Sequence, residues 1–327
     1  MKTLEQLIAM IDSAVKENNQ VWASQMPVNL YRQVSYSMSA GGKRLRPLMV
    51  LLGYQLFDDK IERSIPVALA IEVFHNFTLL HDDIMDHADV RRGLPTVHKK
   101  FSANAAILSG DAMSFLAYGF LLDCTSERLP QIMKLFTRTA LEVCEGQQYD
   151  MDFEDRMEVS TDEYIMMIRL KTAVLLGCAL KAGALAGGAD DGDADKLYEI
   201  GIRLGIGFQL QDDLLDTFGD ENEFGKKIGG DIVANKKTYL LIKALETALE
   251  PQKSALMDWL SAEQFNASEK IVAVKTIFDQ LNVRTTTSEL IQSYLDGALN
   301  LLSELPAAPE RKALLEGLIN KLVDRNH

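Results

Sequence analysis

Cysteine, proline and glycine are scarce in this 327-residue chain, which contains 3, 8 and 21 of them respectively. No Pro-, Gly- or Ser-rich linker divides the sequence, so we predict a single domain over residues 1–327. The low proline and glycine content and the abundance of Leu, Ala, Met, Lys and Glu favour an all-α fold. The cysteines show no CxxC spacing and lie in apolar helical contexts, which predicts buried thiols in a reducing compartment.

Two further absences limit the location and the partners that we expect. The N-terminus lacks a signal-peptide core, and the longest apolar runs, near 105–123 and 172–186, are interrupted by Asp111 and Lys181. Neither run is a good membrane span, so we expect a cytoplasmic protein. The chain contains 34 Lys and Arg residues and 47 Asp and Glu residues, which gives a net charge of −13. This balance argues against nucleic acid or an anionic membrane as partner, but not against an anionic substrate held through metal ions.

The chain is organised around HNFTLLHDDIMDHADVRRGLPTVH at residues 75–98, where four aspartates lie within eight residues. No Pro or Gly follows Pro66 before Gly93, so we predict one helix over 66–92. Such a helix would place four side chains on one face: His75, Asp82, Asp86 and Asp89. Concentrated negative charge repels itself unless a cation neutralises it, and oxygen ligands suit Mg²⁺, which typically bridges to substrate phosphates.

A second copy of the pattern distinguishes it from an ordinary solvated acidic helix face. Residues 208–216 read FQLQDDLLD, with two adjacent aspartates and a third at i+4 from the first, in a helix predicted over 196–219. Two such helices facing each other would form a cavity ringed by carboxylates. A cavity of this kind suits a cluster of Mg²⁺ ions that binds a diphosphate.

Basic segments elsewhere in the chain are compatible with a diphosphate site. Residues 41–47 read GGKRLRP, in which two glycines permit a tight turn and Lys43 and Arg46 can point the same way. Lys171 interrupts an apolar helix and needs a partner unless its ammonium group reaches solvent. The Gly-rich segment after the second motif contains four lysines: Lys226, Lys227, Lys236 and Lys237. Such a segment is typical of a lid that closes over diphosphate.

Three stretches together resemble motifs of the short-chain trans-isoprenyl diphosphate synthases. The first and second aspartate-rich motifs of that family resemble LLHDDIMD, followed by VRRG, and FQLQDDLLD. Its diphosphate-binding loop resembles GGKRLRP. The resemblance implies an all-α, isoprenoid-synthase-type helical bundle around a deep central cavity, assembled as a homodimer. It also implies a prenyltransferase that condenses isopentenyl diphosphate with dimethylallyl, geranyl or farnesyl diphosphate, using about three Mg²⁺ ions.

The resemblance further implies a role for each motif residue. Metal would bind at Asp82, Asp83, Asp86 and Asp212, with Asp216 in support. The allylic diphosphate would bind at Arg91, Lys171, Lys226 and Lys236, the two lid positions being uncertain in register by one residue. Isopentenyl diphosphate would bind at Lys43, Arg46, His75 and Arg92. Thr172 and Gln209 would polarise or cap the region of the carbocation, and pyrophosphate could accept the released proton. Gln147 and Asp150 are supporting candidates, or exposed residues of a helix end.

Product length depends on what lies along the first-motif helix, where the growing chain is expected to run. Phe77 lies five residues before Asp82, about 7.5 Å of helix rise. Thr78, one turn before Asp82, is small. A bulky ring beside a small residue predicts a floor of intermediate depth, although Phe77 could instead be ordinary core. By resemblance, the product is geranylgeranyl diphosphate or the shorter farnesyl diphosphate.

Two other functions remain open at this point. A class I terpene cyclase shares the fold class and the first motif, but would normally carry a different second metal motif and need not keep the GGKRLRP loop. A non-catalytic subunit of a heteromeric prenyl synthase tends to lose aspartates, whereas both motifs are complete here. Catalysis without a second, different chain would separate the enzyme from the subunit.

Overall fold

The structure, a computed structural model, describes residues 1–156, 158–219 and 228–323. Its elements in chain order are α1 (Leu4–Ser24), α2 (Val28–Ser39), α3 (Leu45–Gln55), a 3₁₀ turn (Ile61–Ser64), α4 (Ile65–Met85), β1 (Val90–Arg91), β2 (Leu94–Pro95), α5 (Val97–Lys100), α6 (Ala103–Leu122), α7 (Leu129–Glu154), α8 (Thr161–Ile168), a π-helical turn (Arg169–Ala173), α9 (Val174–Ala186), α10 (Asp191–Phe218), α11 (Gly230–Val233), α12 (Tyr239–Thr247), α13 (Gln252–Ser261), α14 (Ala267–Gln280), α15 (Val283–Ser303) and α16 (Pro309–Val323). The predicted all-α class is confirmed, with one short antiparallel hairpin formed by β1 and β2.

The chain divides into two compact units, each built from several segments. The first unit comprises Met1–Arg138, Cys178–Tyr198 and Leu305–Leu315. The second comprises Thr139–Gly177, Glu199–Glu304 and the chain from Glu316. Since both units draw on interleaved segments, no linker marks the division in the sequence. The single domain that we expect over residues 1–327 stays a prediction.

The core of the first unit is built around α3 and α4. Residues 48–55 of α3 and residues 67–74 of α4 are buried without interruption. A helix that is apolar on all sides is stable only when it is enclosed, which explains why α4 packs along α6 and against α3. Pro66 lies in the first turn of α4, where its missing N–H costs no hydrogen bond.

In the second unit, α8 leads directly into the π-helical turn. The N-cap of α8 is Ser160. Ser160 and Glu163 form a complete capping box, with the serine hydroxyl accepting from the Glu163 N–H at 3.2 Å. This cap satisfies donors that the start of the helix would otherwise leave without partners.

Two smaller predictions were wrong. The second-motif helix begins at Asp191 rather than at 196. Cys144 is exposed, whereas Cys124 and Cys178 are buried as expected. Cys144 lies on the outer face of α7, so an apolar sequence context did not imply burial.

One helix of the described residues, α6, is long and apolar enough to cross a membrane by length and composition. Within its most apolar window, 33% of the residues are buried inside the structure. Three of its exposed side chains recur at seven-residue spacing: Leu108 (59% exposed), Phe115 (75%) and Leu122 (65%). Residues seven apart share a helix face. α6 therefore presents an apolar face that the described part of its unit leaves uncovered.

Candidate active site

The first aspartate-rich motif lies at the carboxyl end of α4. Asp82 and Asp83 lie in its last turn, and Asp86 is its C-cap. The helix ends because His87 adopts a left-handed conformation with φ 53°. The N–H groups of His87 and Ala88 then donate to helix carbonyl oxygens at 3.3 and 3.0 Å. This pair of bonds is a Schellman motif, which satisfies carbonyl groups that a helix end would otherwise leave without partners.

The helix predicted over 66–92 is therefore wrong beyond the end of α4. Asp89 lies outside the helix, and its exposed carboxylate pairs with Lys99 Nζ at 2.7 Å. The end was missed because the residue in the left-handed position is a histidine, so no glycine marks it in the sequence. The predicted stripe of aspartates is reduced to Asp82 and Asp86, four residues apart.

A two-residue turn fixes the arginines that follow the motif. Arg92 and Gly93, at the tip of the hairpin, both have positive φ (53° and 76°), the pattern of a type I′ turn. Arg91 Nε donates to Asp83 Oδ1 at 2.6 Å, and its Nη2 donates to Asp82 Oδ2 at 3.3 Å. Burial raises the pKa of Asp83, an effect that the charge of Arg91 opposes. The Arg91 guanidinium is thus the counter-charge of both adjacent aspartates.

Three of the four residues predicted to bind isopentenyl diphosphate lie close together. Arg46 Nη1 is 3.1 Å from His75 Nε2, and arginine can only donate, so the imidazole accepts and is neutral. Burial, followed by the charges of Arg46 and Arg92, holds the pKa of His75 well below its usual range. Arg92 donates to the Gly41 carbonyl oxygen. Its guanidinium lies 2.8–2.9 Å from where a Cβ on Gly42 would be, so only glycine leaves it this space.

The loop before α3 divides its basic residues between two tasks. Arg44 is 8% exposed and forms ion pairs with Glu72 at 2.5 Å and Asp12 at 3.1 Å. Lys43, the fourth predicted residue, is exposed. Arg44 therefore anchors the loop to the core, whereas the Lys43 side chain faces solvent.

The two residues predicted to control product length differ in their packing. The half-buried ring of Phe77 lies 5.4 Å from the Phe74 ring and 4.8 Å from the His81 ring, both edge to face. Phe74 in turn lies 5.2 Å from Phe136. Thr78 Oγ1 donates to the helix carbonyl oxygen three residues back, at 2.8 Å. Phe77 thus belongs to an aromatic cluster of the first unit, within two turns of the first motif.

The donor chemistry of the first motif fits a magnesium ion. Mg²⁺ usually takes one or two protein carboxylates and completes its shell with water and substrate phosphates. Asp82 and Asp86 lie at the negative end of the α4 dipole, and the last turn of that helix has no basic residue. Among the described residues, no three His, Cys, Asp or Glu side chains form a preassembled ligand group. Asp82 and Asp86 would supply two carboxylate ligands from one helix face, and water and substrate phosphate oxygens would supply the other ligands of Mg²⁺.

In the second unit, Lys171 lies in the π-helical turn, a rare form that is frequent at functional sites. The turn packs on α7 at Gly146, where a Cβ would overlap the backbone of Lys171. Asp150 lies one turn further along α7 on the same face, and its Oδ2 accepts from Lys171 Nζ at 2.5 Å. Lys171 therefore has the carboxylate partner that a half-buried cation requires.

A hydrogen-bonded chain joins this turn to α10. Thr172 Oγ1 donates to Gln209 Oε1 at 3.2 Å, and Gln209 Nε2 donates to Asp213 Oδ1 at 3.1 Å. The Tyr164 hydroxyl donates to the other oxygen of Asp213. Burial raises the pKa of Asp213 to about 7 and that of Tyr164 well above its usual range. Asp213 is therefore engaged within the protein and orients Gln209.

The other two aspartates of the second motif lie one turn apart on α10. Asp212 and Asp216 are both half-buried, and their carboxylate oxygens are again suitable ligands for Mg²⁺. Asp216 Oδ1 accepts from the Asp231 N–H at 2.9 Å, and its carbonyl oxygen accepts from the Gly229 N–H at 2.7 Å. Asp216 thus ties the second motif to the segment that carries Lys236.

That segment contains a second Schellman motif, at the end of α11. Asn235 is left-handed with φ 54°, and the N–H groups of Asn235 and Lys236 donate to α11 carbonyl oxygens at 3.3 and 2.9 Å. The Lys236 side chain is 49% exposed, and its Nζ lies 4.0 Å from Asp231 Oδ1. Lys226 and Lys227 lie outside the described residues, so their role stays a prediction.

Sequence reasoning missed the partners that hold these side chains in place. Glu72 pairs with a residue 28 positions away, Tyr164 with one 49 away, and Asp231 with one 15 away. No spacing rule links residues so far apart. The one local signal was Glu72, a charged residue within the apolar run of α4 and only 2% exposed.

An all-α fold with two aspartate-rich helices, in which Arg91 binds the adjacent aspartates of the first, is typical of an isoprenoid-synthase-type protein. The chain belongs to the polyprenyl synthetase family, whose model matches residues 27–278. That range contains the GGKRLRP loop and both motifs. The family expected from the motifs is thereby confirmed.

Individual relatives agree over almost the whole length. Geranylgeranyl diphosphate synthase of Methanosarcina mazei is 38% identical over 308 residues, covering 94% of this chain and 92% of its own. A crystal structure of geranylgeranyl pyrophosphate synthase is 45% identical, with a TM-score of 0.94 and 99% of both chains covered. A polyprenyl synthase of Caulobacter crescentus CB15, complexed with calcium and isoprenyl diphosphate, is 26% identical, with a TM-score of 0.85 and coverage of 99% and 98%. The isoprenoid-synthase-type helical fold is confirmed.

Proposed function

We propose that this chain is a Mg²⁺-dependent trans-prenyltransferase that condenses isopentenyl diphosphate with allylic diphosphates to geranylgeranyl diphosphate. The observation that carries the proposal is that both motifs are complete in a chain of the polyprenyl synthetase family. Arg91 donates to the first aspartate pair, and Lys171 and Thr172 are neighbours in the π-helical turn. Similarity to proteins named geranylgeranyl diphosphate synthase supports the product.

Five aspartates would hold the metal in this reaction: Asp82, Asp83, Asp86, Asp212 and Asp216. When bound, Mg²⁺ neutralises the diphosphate and stabilises the negative charge that develops on the leaving oxygen. Asp83 also accepts a hydrogen bond from Arg91 Nε at 2.6 Å, which orients its carboxylate. The similarity to a synthase complexed with calcium and isoprenyl diphosphate supports a divalent cation beside a diphosphate.

The cationic side chains would bind the two diphosphates. Those assigned to the allylic substrate are Arg91, Lys171, Lys226 and Lys236. Those assigned to isopentenyl diphosphate are Lys43, Arg46, His75 and Arg92. Arginine can bind phosphate oxygens through two parallel N–H groups, and the neutral imidazole of His75 accepts from Arg46 and so orients it. Hydrogen bonds already hold two of the donors assigned to each anion: Arg91 and Lys171 for the allylic substrate, and Arg46 and Arg92 for isopentenyl diphosphate.

The chemistry itself needs little from protein acids or bases. The allylic C–O bond breaks with its electron pair on the departing pyrophosphate, and the double bond of isopentenyl diphosphate forms the new C–C bond. The proton lost from the condensed product passes to pyrophosphate. Thr172 donates to Gln209 Oε1, and Gln209 Nε2 donates to Asp213. The Thr172 hydroxyl and the Gln209 amide therefore have a fixed orientation, in which their dipoles would stabilise the carbocation.

We assign the chain-length floor to Phe77, with Thr78 leaving space beside it. The assignment is supported by the edge-to-face contacts of Phe77 with Phe74 and His81, which hold its ring in place. A fixed ring about 7.5 Å of helix rise from Asp82 would stop the growing chain at intermediate length.

We also infer a homodimer, with the exposed face of α6 packed against a second copy. Leu108, Phe115 and Leu122 recur every seven residues, the spacing of helices that pack along each other. Phe115→Glu should convert the dimer to a monomer in analytical ultracentrifugation, whereas an unchanged mass would remove this face from the interface. A cytoplasmic location stays a prediction.

The test of function is an incubation of the purified chain with Mg²⁺, isopentenyl diphosphate and dimethylallyl, geranyl or farnesyl diphosphate, followed by chromatography of the dephosphorylated products. We expect geranylgeraniol from all three primers and none with chelator. Hydrocarbon released from an allylic substrate alone would favour a terpene cyclase. No reaction with any primer would favour a non-catalytic subunit.

A further inference from the structure

Lys270, in α14, is a charged residue in an apolar position. Its side chain is 0% exposed. Its ammonium donates to Asn235 Oδ1 at 2.6 Å and lies 4.1 Å from the centroid of the Phe265 ring. Within the described residues, no carboxylate forms an ion pair with it. Burying a cation costs free energy that an apolar side chain of the same length would avoid, so core packing does not account for a lysine here.

The acceptor, Asn235, is the left-handed residue of the Schellman motif that ends α11. Its amide is used on both sides, because Nδ2 donates to the Leu260 carbonyl oxygen at 3.0 Å while Oδ1 accepts from Lys270. A hydrogen bond from a charged donor is stronger than one between neutral groups. Lys270 therefore holds both the position and the orientation of this one turn residue.

The residue that follows the turn is Lys236. Its N–H donates to the Asp231 carbonyl oxygen at 2.9 Å, so the direction in which its side chain leaves the backbone is fixed by the turn. The start of the same segment is tied to Asp216 through the Asp231 N–H. Lys270 and Asn235 form the corresponding tie at its end.

A small cavity adjoins this turn, and its lining includes Asp231, Lys236, Thr238 and Lys270. Lys236 and Lys270 thus line the same small space beside the turn.

We propose that Lys270 is a positioning residue, which acts through Asn235 to hold Lys236 where it meets the allylic diphosphate. The inference rests on the proposed function, in which Lys236 contacts that substrate. Lys270 would thus affect substrate binding through Asn235 and Lys236 and not by contact with the substrate.

Steady-state kinetics of Lys270→Met test this inference, because methionine keeps the length of the side chain and removes the donor. We expect the KM for the allylic diphosphate to rise about tenfold, the effect of misplacing one contact of about 1.4 kcal/mol. The kcat and the KM for isopentenyl diphosphate should change by less than about twofold. Lys275→Met is the matched control, since Lys275 lies on the same helix over the Phe218 ring at 5.5 Å and should leave all three parameters unchanged.

A double variant separates positioning from general destabilisation. If Lys270 acts through Lys236, Lys270→Met should add nothing to the KM of Lys236→Ala, whereas independent effects would multiply. An unchanged KM in Lys236→Ala would overturn the proposed role of Lys236 and this inference with it. A raised KM in Lys236→Ala with a normal KM in Lys270→Met would overturn the inference alone.

Asn235→Gly serves if Lys270→Met does not fold. Glycine accepts the left-handed conformation and removes only the amide. The inference predicts the same selective rise in the KM for the allylic diphosphate, and an unchanged KM would contradict it.

Discussion

The two aspartate-rich motifs have the same spacing and different surroundings. In the first, the adjacent pair lies at the end of α4, and the guanidinium of Arg91 binds both Asp82 and Asp83. In the second, the motif lies within α10, and Asp213 is bound by neutral donors, Tyr164 and Gln209. The second aspartate of each pair is buried, at 5% and 3% exposure. In both motifs the second aspartate of the pair faces inward, and burial raises its pKa. The charge of Arg91 opposes that rise in Asp83, and hydrogen bonds from Tyr164 and Gln209 oppose it in Asp213.

The largest expected effect comes from the first aspartate of the first motif. Asp82→Ala removes a proposed metal ligand and one of the two carboxylates that Arg91 binds. We expect turnover to fall by at least about 10³-fold, comparable to the loss of a major electrostatic contact in a transition state. Circular dichroism should show an unchanged helical fold. Appreciable activity in this variant would remove Asp82 from the metal site.

Gly146→Ala should have the next largest effect, because the added Cβ would overlap the backbone of Lys171. The π-helical turn must then move, and overpacking of this kind costs about 1–3 kcal/mol. We expect a lower thermal midpoint and a raised KM for the allylic diphosphate. Gly317→Ala is the control, since its Cβ would have nothing within 4 Å and should raise the midpoint slightly. Equal behaviour of the two variants would contradict the close approach at Gly146.

A third prediction concerns the α4 helix before the first motif. Phe77→Ala should shift the product to chains longer than geranylgeranyl diphosphate, because the ring that limits the cavity is removed. Phe153→Ala removes a buried ring of the second unit and should leave product length unchanged. Chromatography of dephosphorylated products measures both. An unaltered product from Phe77→Ala would assign that ring to the core.

Composition, apolar context and aspartate spacing are local signals, and they predicted the all-α class and the two motif helices. The family followed from the resemblance of the motifs. The sequence did not predict where α4 ends, since the left-handed residue that follows the helix, His87, is not a glycine. It also gave no sign of the π-helical turn at Lys171, which depends on contact with Gly146 on another helix. Features produced by tertiary contact were the ones that local patterns missed.

The same limit applies to the site itself. The predicted metal and diphosphate residues follow from motif positions, whereas their supports, Glu72 and Tyr164, become visible only when the chain is folded. The roles given to the motif residues remain predictions until the variants are measured.

A smaller effect is expected at the second motif. Asp213→Asn keeps an oxygen that can accept from Tyr164, and the native carboxyl already has a pKa of about 7. The new amide nitrogen cannot accept from Gln209 Nε2, so that hydrogen bond is lost. We expect kcat/KM to fall by less than about tenfold, the cost of this one internal hydrogen bond. A loss as large as that of Asp82→Ala would show that Asp213 acts on metal or substrate directly.

The smallest effect concerns acid stability in the first unit. The pKa of His75 is lowered on folding. Below about pH 6.5 its imidazole is therefore protonated in the unfolded chain but still neutral in the folded chain. Stability from the neutral imidazole is therefore lost as pH falls, by up to about 1.4 kcal/mol per pH unit. His75→Gln lacks this pH-dependent contribution to the free energy of unfolding. Its thermal midpoint should therefore fall less between pH 7.5 and 5.5 than that of the wild type. Equal falls would contradict a neutral His75.

We propose that both motifs, despite their different surroundings, serve one magnesium-dependent reaction. The most direct test is the Mg²⁺ concentration that gives half-maximal condensation in the wild type, Asp82→Asn and Asp212→Asn, measured with the same pair of substrates. We expect each substitution to raise this concentration at least about tenfold, because each removes a carboxylate ligand. A variant with the wild-type magnesium requirement would show that its motif does not bind the catalytic metal.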